Sequence, residues 1–333
     1  MTAPAPPPLT LAVAAERWPI AGSFTISRGA KTEAAVVVAE LGDGRHRGRG
    51  ECTPYARYNE SVDSVIGQIE AMRPLLARGL DRAALQRAMP PGAARNALDC
   101  AFWDLEAKRT GQPAYALAGL AALKPVVTAL TISLAPPGDM AAAAAKAAQR
   151  ALLKVKLGAP GDAERIAAVR AAAPATTLIV DANEGWTADN LAANVAACAK
   201  AGVVLIEQPL PEGRDAALAG IERPVPICAD ESAHDLKSLP GLAGRYDAVN
   251  VKLDKAGGLT EALAMAAAVE RLGLTLMLGS MVATSLSVAP AMLVAQRARF
   301  VDLDGPLLLT RDREAGLVYR DSLVFPATPA LWG

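Results

Sequence analysis

Beyond residue 125, hydrophobic residues occur in short runs that are separated by alanine-rich stretches of helix length. The runs cover residues 126–134, 153–157, 178–183, 203–210, 226–231, 248–253, 275–280 and 300–304. Strands that are buried on both faces have this nearly continuous apolar character, and their alternation with helices is typical of parallel sheets. Eight such units predict an α/β fold with a closed parallel (β/α) barrel. An open doubly wound sheet is the alternative, but no glycine-rich phosphate loop follows the first run.

The residues before this region have a mixed pattern, which predicts an α+β fold. Residues 32–40 are apolar and β-branched, and a Gly-Asp-Gly turn at residues 42–44 leads into a second strand that ends near Cys52. These two strands should form a hairpin. Residues 61–77 and 91–110 have the apolar spacing of helices.

These patterns divide the chain into two domains and a tail. We predict an α+β domain at residues 1–124, with loops at about residues 20–31 and 53–61, and a barrel at residues 125–308. The tail, residues 309–333, contains proline and aromatic residues but lacks the period of the barrel. We expect it to pack back on the first domain.

The composition argues against several classes of protein. Lys+Arg and Asp+Glu are both 34, so the formal net charge is zero and nothing favours binding to nucleic acid or to an anionic membrane. The N-terminal segment lacks the basic and apolar regions of a secretory signal, and the alanine-rich stretch at residues 140–148 is too short to span a bilayer. The chain has no C-x-x-C pair and only two histidines, which argues against a zinc site. Scattered cysteines suit a reducing compartment, so we expect a cytoplasmic protein.

Charged residues lie near the C-terminal ends of the predicted barrel strands, where a buried strand should be apolar. Lys156, Asp181, Glu207, Asp230 and Lys252 follow one another at intervals of 22 to 26 residues, which is one charge per βα unit. A barrel brings these positions together at its C-terminal face, where barrel enzymes carry out their chemistry. Separate strand-end ion pairs are the alternative, but the regular register of the charges argues against them.

The order of the charges predicts a metal site between two lysines. Three carboxylates on consecutive strands would repel one another without a cation, and oxygen ligands with no nearby histidine favour Mg²⁺ over zinc. Lys156 precedes the acids and Lys252 follows them, so in a closed ring the two lysines lie on opposite sides of the metal. Lys154 is a source of a second positive charge, which would lower the pKa of Lys156 and let it act as a base. The alternative is that the lysines only neutralise the acids, but a chain with two histidines offers few other bases.

Several segments carry a family resemblance when they are taken together. They are Lys154-Val155-Lys156, Asp181-Ala182-Asn183, Ile206-Glu207-Gln208-Pro209, Ala229-Asp230-Glu231-Ser232 and Asn250-Val251-Lys252-Leu253-Asp254-Lys255-Ala256-Gly257-Gly258. This series resembles the muconate-lactonising subgroup of the enolase superfamily, and residues 49–54 and 94–99 extend the likeness over nearly the whole chain. The segments at residues 279–281 and 302–304 resemble the dipeptide epimerases within that subgroup.

The resemblance implies a fold, a cofactor and a set of roles. The fold would be an enolase-like modified (β/α)7β barrel of the TIM type with an N-terminal α+β capping domain. The ligands of one Mg²⁺ would be Asp181, Glu207 and Asp230. The acid/base residues would be Lys156 and Lys252, with Lys154 assisting. The substrate would be bound by Asp302 and Asp304 at an α-ammonium group, and by Arg28 and Lys31 at a glutamyl carboxylate. Thr131 on the first strand and Ser280 on the seventh are further candidates to line the pocket.

The chemistry of epimerisation explains why these residue types occur together. Inversion of a carbon next to a carboxylate needs a proton acceptor on one face of that carbon and a donor on the other, and two lysines supply both. Mg²⁺ would stabilise the negative charge that develops on the carboxylate. A dipeptide also has a free ammonium group that suits paired carboxylates, whereas a cyclic acid such as a muconate has none. We therefore expect a Mg²⁺-dependent epimerase of L-Ala-D/L-Glu and similar small dipeptides, and the resemblance adds a role in murein peptide recycling.

Other reactions on the same scaffold stay open, because they share the metal triad and both lysines. They are cycloisomerisation, o-succinylbenzoate synthesis and N-acylamino acid racemisation. An acid-sugar dehydratase is disfavoured because residues 275–280 contain no histidine, and a non-catalytic binding protein is disfavoured because no core position is missing. The sequence leaves the oligomeric state open, and a homo-oligomer is compatible with it.

Overall fold

A three-stranded antiparallel sheet begins the first domain. The computed structural model of the protein describes residues 8–333, and residues 1–7, which bear on the expected absence of a secretory signal, lie outside the described residues. The strands, in the order in which they pair, are β1 (Thr10–Ile26), β2 (Gly29–Gly42) and β3 (Arg47–Cys52).

The segment at about residues 20–31, predicted as a loop, is part of a long β-hairpin. β1 and β2 pair out to Ile26 and Gly29, and residues 27–28 form the turn. Most side chains of β1 are exposed or half-buried. The strand therefore lacks the strict alternation of apolar and polar residues by which a strand is predicted from sequence.

Between residues 8 and 124, five α-helices complete the first domain. They are α1 (Val62–Ala71), α2 (Arg73–Ala77), α3 (Arg82–Ala88), α4 (Ala93–Thr110) and α5 (Ala114–Leu117). The helix predicted at residues 61–77 is interrupted at Met72, where α2 begins with a proline in its first turn. Helix α4 lies so close to β3 that a Cβ atom on Gly48 or Gly50 would collide with its backbone. These two glycines therefore allow the sheet to dock on the helix.

The first predicted barrel run, residues 126–134, is split into two strands. Strand β4 (Val126–Val127) lies outside the barrel and pairs antiparallel with the C-terminal tail, and only β5 (Leu130–Ile132) joins the barrel sheet. A strand of two residues that pairs with a segment almost 200 residues away leaves no local signal in the sequence.

Eight parallel strands form a nearly closed barrel, which confirms the predicted fold. After β5 they are β6 (Leu152–Lys156), β7 (Thr177–Asp181), β8 (Val203–Glu207), β9 (Ile227–Ala229), β10 (Ala248–Val251), β11 (Thr275–Gly279) and β12 (Phe300–Asp302). They pair in chain order, and the backbone N–H of Ala129 donates to the carbonyl oxygen of Val301 (2.8 Å) at the seam between first and last strands.

Helices cover most of the outside of the barrel. They are α6 (Pro137–Lys146), α7 (Asp162–Ala172), α8 (Ala188–Lys200), α9 (Leu253–Ala256), α10 (Leu259–Arg271) and α11 (Ser285–Ala295). After β8 and β9 the chain forms the 3₁₀ turns Ala216–Gly220 and Leu239–Leu242 in place of the helices that the pattern predicts.

The C-terminal tail contacts both parts of the molecule. Its hairpin, β13 (Tyr319–Arg320) and β14 (Leu323–Val324), pairs with β4. The indole N–H of Trp332 donates to the carbonyl oxygen of Cys100 in α4 (3.0 Å), and the backbone N–H of Gly333 donates to Asp104 (2.8 Å). Within residues 8–333, no helix combines the length and the apolar character that crossing a membrane requires.

Candidate active site

The inward-facing residues of the barrel change from apolar to polar or charged along the strands β6 to β10. A small apolar cluster fills the lower level, and its members are Ala129, Leu152, Ile179, Leu205, Cys228, Ala248 and Met277. Residues two positions further along a strand point to the same face. The next level therefore holds Lys154, Asp181, Glu207, Asp230 and Asn250. The period of two in the strands thus explains why the barrel interior is apolar at one level and polar or charged at the next.

Three carboxylates meet in this charged level, as the sequence predicts. One oxygen from each of Asp181, Glu207 and Asp230 lies within 4.8 Å of the others, and all three residues are buried. The side-chain amide of Asn250 donates to Glu207 Oε1 (2.7 Å), and Glu207 Oε2 is 2.6 Å from the ammonium Nζ of Lys154. Burial and the neighbouring Asp181 raise the pKa of Glu207 to about 7. A buried set of three carboxylates that repel one another fits a hard divalent cation such as Mg²⁺.

Lys154 lies at the centre of the carboxylates. Its ammonium Nζ is 2.6 Å from Glu207, 2.8 Å from Asp302 and 3.1 Å from Asp181. Burial lowers the pKa of Lys154, but its carboxylate partners outweigh burial and hold that pKa well above the usual value. In this arrangement the carboxylates therefore favour the charged form of Lys154.

Lys156 and Lys252 lie on opposite sides of the barrel mouth, because β6 and β10 are four strands apart in a ring of eight. Lys156 Nζ donates to Asp181 (2.6 Å), and Lys252 Nζ donates to Asp230 (2.8 Å). Burial lowers the pKa of Lys252, but the Asp230 carboxylate outweighs burial and raises it above the usual value. A lysine base beside a second cation would have a lowered pKa. The pKa of Lys252 is raised instead, because its nearest charged neighbour is the anion Asp230.

A cavity of about 310 Å³ lies above these residues, between the barrel mouth and the first domain. Ten of the twelve predicted site residues line it, namely Arg28, Lys31, Thr131, Lys154, Lys156, Asp230, Lys252, Ser280, Asp302 and Asp304. Asp181 and Glu207 are not among its lining residues, and both are buried. The β1–β2 hairpin contributes an apolar wall, and the ammonium of Lys156 is 5.6 Å from the centre of the Phe24 ring.

The two aspartates after β12 differ in their surroundings. Asp304 accepts a hydrogen bond from the backbone N–H of Thr131 (2.6 Å), and burial together with the neighbouring Asp302 raises its pKa to about 7. Asp302 Oδ2 accepts from Lys154, whereas its Oδ1 has no partner among the described residues. Ser280 approaches Asp302 through its backbone N–H, which donates to the Asp302 carbonyl oxygen (3.1 Å). Oxygens of both carboxylates therefore remain available to a cationic group in the cavity.

Arg28 reaches the cavity from the hairpin turn, but it is already paired. It donates to Glu231 (2.7 Å), to Glu184 (3.0 Å) and to the hydroxyl of Tyr55 (3.0 Å). Lys31 has a different environment, because its ammonium lies 5.0 Å from the centre of the Tyr55 ring and its pKa is lowered by burial and by Arg28.

Sequence reasoning did not identify Lys255 as part of this site. Its ammonium donates to Asp230 Oδ1 (2.6 Å), to the Asp230 carbonyl oxygen (2.5 Å) and to the Asn250 carbonyl oxygen (2.9 Å). All three of its hydrogens are used, so Lys255 orients a carboxylate and does not face the cavity. The signal in the sequence was a second lysine three residues after Lys252, in a segment that is buried throughout.

The family models and the relatives that match this chain point to the same family. Residues 9–119 match the mandelate racemase / muconate lactonizing enzyme N-terminal domain, and residues 139–325 match the enolase C-terminal domain-like family. The chain is 48% identical to the L-Ala-D/L-Glu epimerase of Escherichia coli (strain K12), over 93% of this chain and 97% of that protein. It is 43% identical to an N-acetyl-D-glutamate racemase of Pseudoalteromonas sp., over 90% of this chain and 95% of that protein.

Solved structures agree with these relatives. A crystal structure of an enolase family member from Agrobacterium tumefaciens with homology to dipeptide epimerases, with bound sodium and L-Ala-L-Glu, has a TM-score of 0.97 and 57% identity, and the match covers 98% of this chain and all of that one. A dipeptide epimerase of Enterococcus faecalis V583, complexed with Mg and L-Leu-L-Tyr, has a TM-score of 0.89 and 26% identity, over 96% of this chain and 98% of that one. The resemblance drawn from the sequence motifs is thus confirmed: the chain belongs to the mandelate racemase / muconate lactonizing enzyme family of the enolase superfamily, among its dipeptide epimerases.

Proposed function

We propose that this protein is a Mg²⁺-dependent isomerase that epimerises L-Ala-D/L-Glu and similar dipeptides at the α-carbon of the C-terminal residue. The observation that carries the proposal is the placement of Lys156 and Lys252 on opposite sides of one cavity, above three buried carboxylates. Identity to a named L-Ala-D/L-Glu epimerase over nearly the full length supports the same reaction.

Asp181, Glu207 and Asp230 would hold the metal. When bound there, Mg²⁺ stabilises the negative charge that the substrate carboxylate gains as the α-proton leaves. The protein prepares this position with oxygens that are oriented in advance, since Asn250 fixes one oxygen of Glu207 and Lys255 fixes one oxygen of Asp230. Lys154 balances part of the remaining negative charge and keeps the carboxylates in register.

The two lysines of the cavity would move the proton. One lysine removes the α-proton from its face of the substrate, and the other, as an ammonium, donates a proton to the opposite face, so that the centre is inverted. In the reverse reaction the two exchange roles. The hydrogen bond from Lys252 to Asp230 favours the charged form of Lys252, which is the form that donates.

The remaining residues would bind the two ends of the dipeptide. Asp302 and Asp304 would accept hydrogen bonds from the α-ammonium group, because both are buried carboxylates that line the cavity and have oxygens to spare. Arg28 and Lys31 would attract the glutamyl carboxylate, and Thr131 and Ser280 would hold the aspartate pair in place through their backbones. An N-acylated amino acid has no ammonium group, so the aspartate pair favours a dipeptide over the substrate of the racemase relative.

The cellular setting is a further part of the proposal. The scattered cysteines, all four of which are free in the structure, suit a reducing cytoplasm. Likeness to L-Ala-D/L-Glu epimerases suggests that the dipeptides come from recycled murein. A homo-oligomer is compatible with this role.

Incubation with Mg²⁺ and L-Ala-L-Glu in D₂O tests the proposed reaction. We expect deuterium at the glutamyl α-carbon and the appearance of L-Ala-D-Glu, both observed by NMR, and we expect neither after removal of divalent cations with EDTA. Exchange without inversion would show that only one lysine acts. Absence of exchange, together with turnover of an N-acyl amino acid or of a muconate, would overturn the dipeptide assignment.

A further inference from the structure

Glu184 lies at a rigid point of the barrel rim. It follows β7 in the loop that also contains Asn183, and both residues have positive φ angles, 44° for Asn183 and 63° for Glu184. The backbone N–H of Glu184 donates to the carbonyl oxygen of Gln208 (2.9 Å), and the N–H of Gly185 donates to that of Ala182 (2.8 Å). Non-glycine residues adopt positive φ angles only where the surrounding contacts hold them there. The loop therefore presents the Glu184 carboxylate in a fixed direction.

That carboxylate binds two arginines from the first domain. Arg57 donates to it through Nε and Nη2, both at 2.8 Å, which is a bidentate pair, and Arg28 donates through Nη1 at 3.0 Å. The backbone N–H of Glu212 completes the set at 2.8 Å. The Glu184 side chain is only 8% exposed, whereas the side chains of Arg28 and Arg57 are 27% and 31% exposed, so these charge-assisted bonds are partly shielded from water.

The two arginines belong to separate segments that both cover the cavity. Arg28 is in the turn of the β1–β2 hairpin, and Arg57 is in the segment of residues 53–61, whose Tyr55 and Tyr58 line the cavity. Tyr55 also accepts a hydrogen bond from Arg28, so the two segments touch each other above the barrel. Arg28 also pairs with Glu231 (2.7 Å) and Arg57 with Glu212 (3.1 Å), but Glu184 binds both covering segments at once.

We propose that Glu184 is a positioning residue, which closes the cavity by fixing the hairpin turn and residues 53–61 against the barrel rim. It does not line the cavity, and it acts through Arg28 and Arg57. The kinetic part of this inference rests on the proposed function, whereas the structural part does not. When Glu184 loses its charge, both segments should dock less tightly on the barrel.

Hydrogen–deuterium exchange tests the docking directly, with Glu184→Gln as the variant and Glu33→Gln as its matched control. Glu33 pairs with Arg17 (2.5 Å) inside the same hairpin, and among the described residues its side chain makes no hydrogen bond or ion pair with the barrel. We expect faster amide exchange at residues 24–30 and 53–61 in Glu184→Gln, with no change in the barrel strands, and unchanged exchange of both segments in Glu33→Gln. Equal exchange of the two segments in Glu184→Gln and the unaltered protein would overturn the proposal. If Glu184→Gln does not fold, Arg57→Met removes the same contact from the other side and should give the same change.

Steady-state kinetics separate docking from a simpler effect of charge. L-Ala-L-Gln has the shape of L-Ala-L-Glu but no side-chain carboxylate, so only docking affects its binding. We expect Glu184→Gln to raise KM for both dipeptides by about tenfold, with a smaller change in kcat, because charge-assisted bonds to the covering segments are lost. A lower KM for L-Ala-L-Glu alone would mean that Glu184 merely competes with the substrate for Arg28, and this would overturn the proposal. If the unaltered protein converts neither dipeptide, the proposed function fails, and the exchange result alone decides on Glu184.

Discussion

Replacement of Lys154 tests the charge balance of the site directly. Its ammonium lies 2.6 to 3.1 Å from three carboxylates, and its side chain is only 1% exposed. Lys154→Met retains much of the side-chain volume but leaves these buried carboxylates without the cation that they share. Removal of one partner from a buried ion pair costs about 3–5 kcal/mol. This is a large fraction of the roughly 5–15 kcal/mol by which a typical protein is stable, so we expect the free energy of unfolding to fall by about 3–5 kcal/mol in EDTA.

A matched control separates this effect from the loss of any lysine. Lys108 pairs with Asp104 at 2.8 Å on the outside of α4, and its side chain is 28% exposed. Asp104 also accepts hydrogen bonds from the backbone N–H groups of Arg49 and Gly333, so it stays paired when Lys108 is removed. We expect Lys108→Met to cost less than about 1 kcal/mol.

Urea unfolding, followed by circular dichroism with and without Mg²⁺, measures both variants. A ligand that binds only the folded state adds to its stability, and the site of Lys154→Met carries one more uncompensated negative charge. We therefore expect Mg²⁺ to stabilise Lys154→Met more than it stabilises the unaltered protein. A loss in EDTA no larger than that of Lys108→Met would refute the argument, because the carboxylates would then share protons and not depend on Lys154.

Four further predictions concern protons and substrate binding. Since the pKa of Asp304 is raised to about 7, kcat/KM for L-Ala-L-Glu should rise with pH up to about 7. The value of kcat should not follow this rise, because a bound ammonium group keeps Asp304 ionised. A kcat/KM profile without an inflection near neutral pH would contradict this expectation. For the same reason the folded state holds the Asp304 proton more tightly than the unfolded state, so the stability gained from the neutral form is lost as the pH rises from 3.8 to about 7, and pH-dependent unfolding measures this loss. Lys156→Ala and Lys252→Ala should each abolish epimerisation and retain α-proton exchange of one enantiomer only, measured by NMR in D₂O; exchange of both enantiomers by either variant would refute the two-base assignment. The double variant Asp302→Asn/Asp304→Asn should lower kcat/KM for L-Ala-L-Glu by about 100-fold or more, because two charged contacts to the ammonium are lost, and full activity on dipeptides would count against the substrate assignment.

The barrel and its charged level were predictable because both depend on short-range periodicity. Alternation places Asp181 two residues beyond Ile179 and Glu207 two residues beyond Leu205, and the same step gives Lys154 after Leu152 and Asp230 after Cys228. The spacing of the strands therefore predicts that the three carboxylates lie close together. The hydrogen bonds from Lys156 to Asp181 and from Lys252 to Asp230 follow from neighbouring positions in the same ring.

The covering segments could not be predicted in the same way, because their structure depends on distant contacts. β1 is mostly exposed or half-buried, and its outer half is held by pairing with β2 and by contacts of Ser27 and Arg28 with Asn183, more than 150 residues away. β4 exists only because the tail pairs with it. Glu184 gave no signal either, since a glutamate after a strand is usually a solvated loop residue, and its role becomes visible only when both arginines are in place.

The separation of these two kinds of residue bears on how the reaction and the substrate are determined. The lysines and carboxylates that would move the proton come from barrel strands, and their positions are fixed by buried hydrogen bonds such as those of Lys255. The groups that would meet the dipeptide side chain, Arg28 and Lys31, are placed by a hairpin whose turn is attached to the barrel by polar contacts at Asn183, Glu184 and Glu231. A change in the hairpin can therefore alter which side chain is accepted without disturbing the proton transfer. It follows that substitution of Lys31 should change the preference among dipeptides, while α-proton exchange on a substrate that still binds should continue at a similar rate.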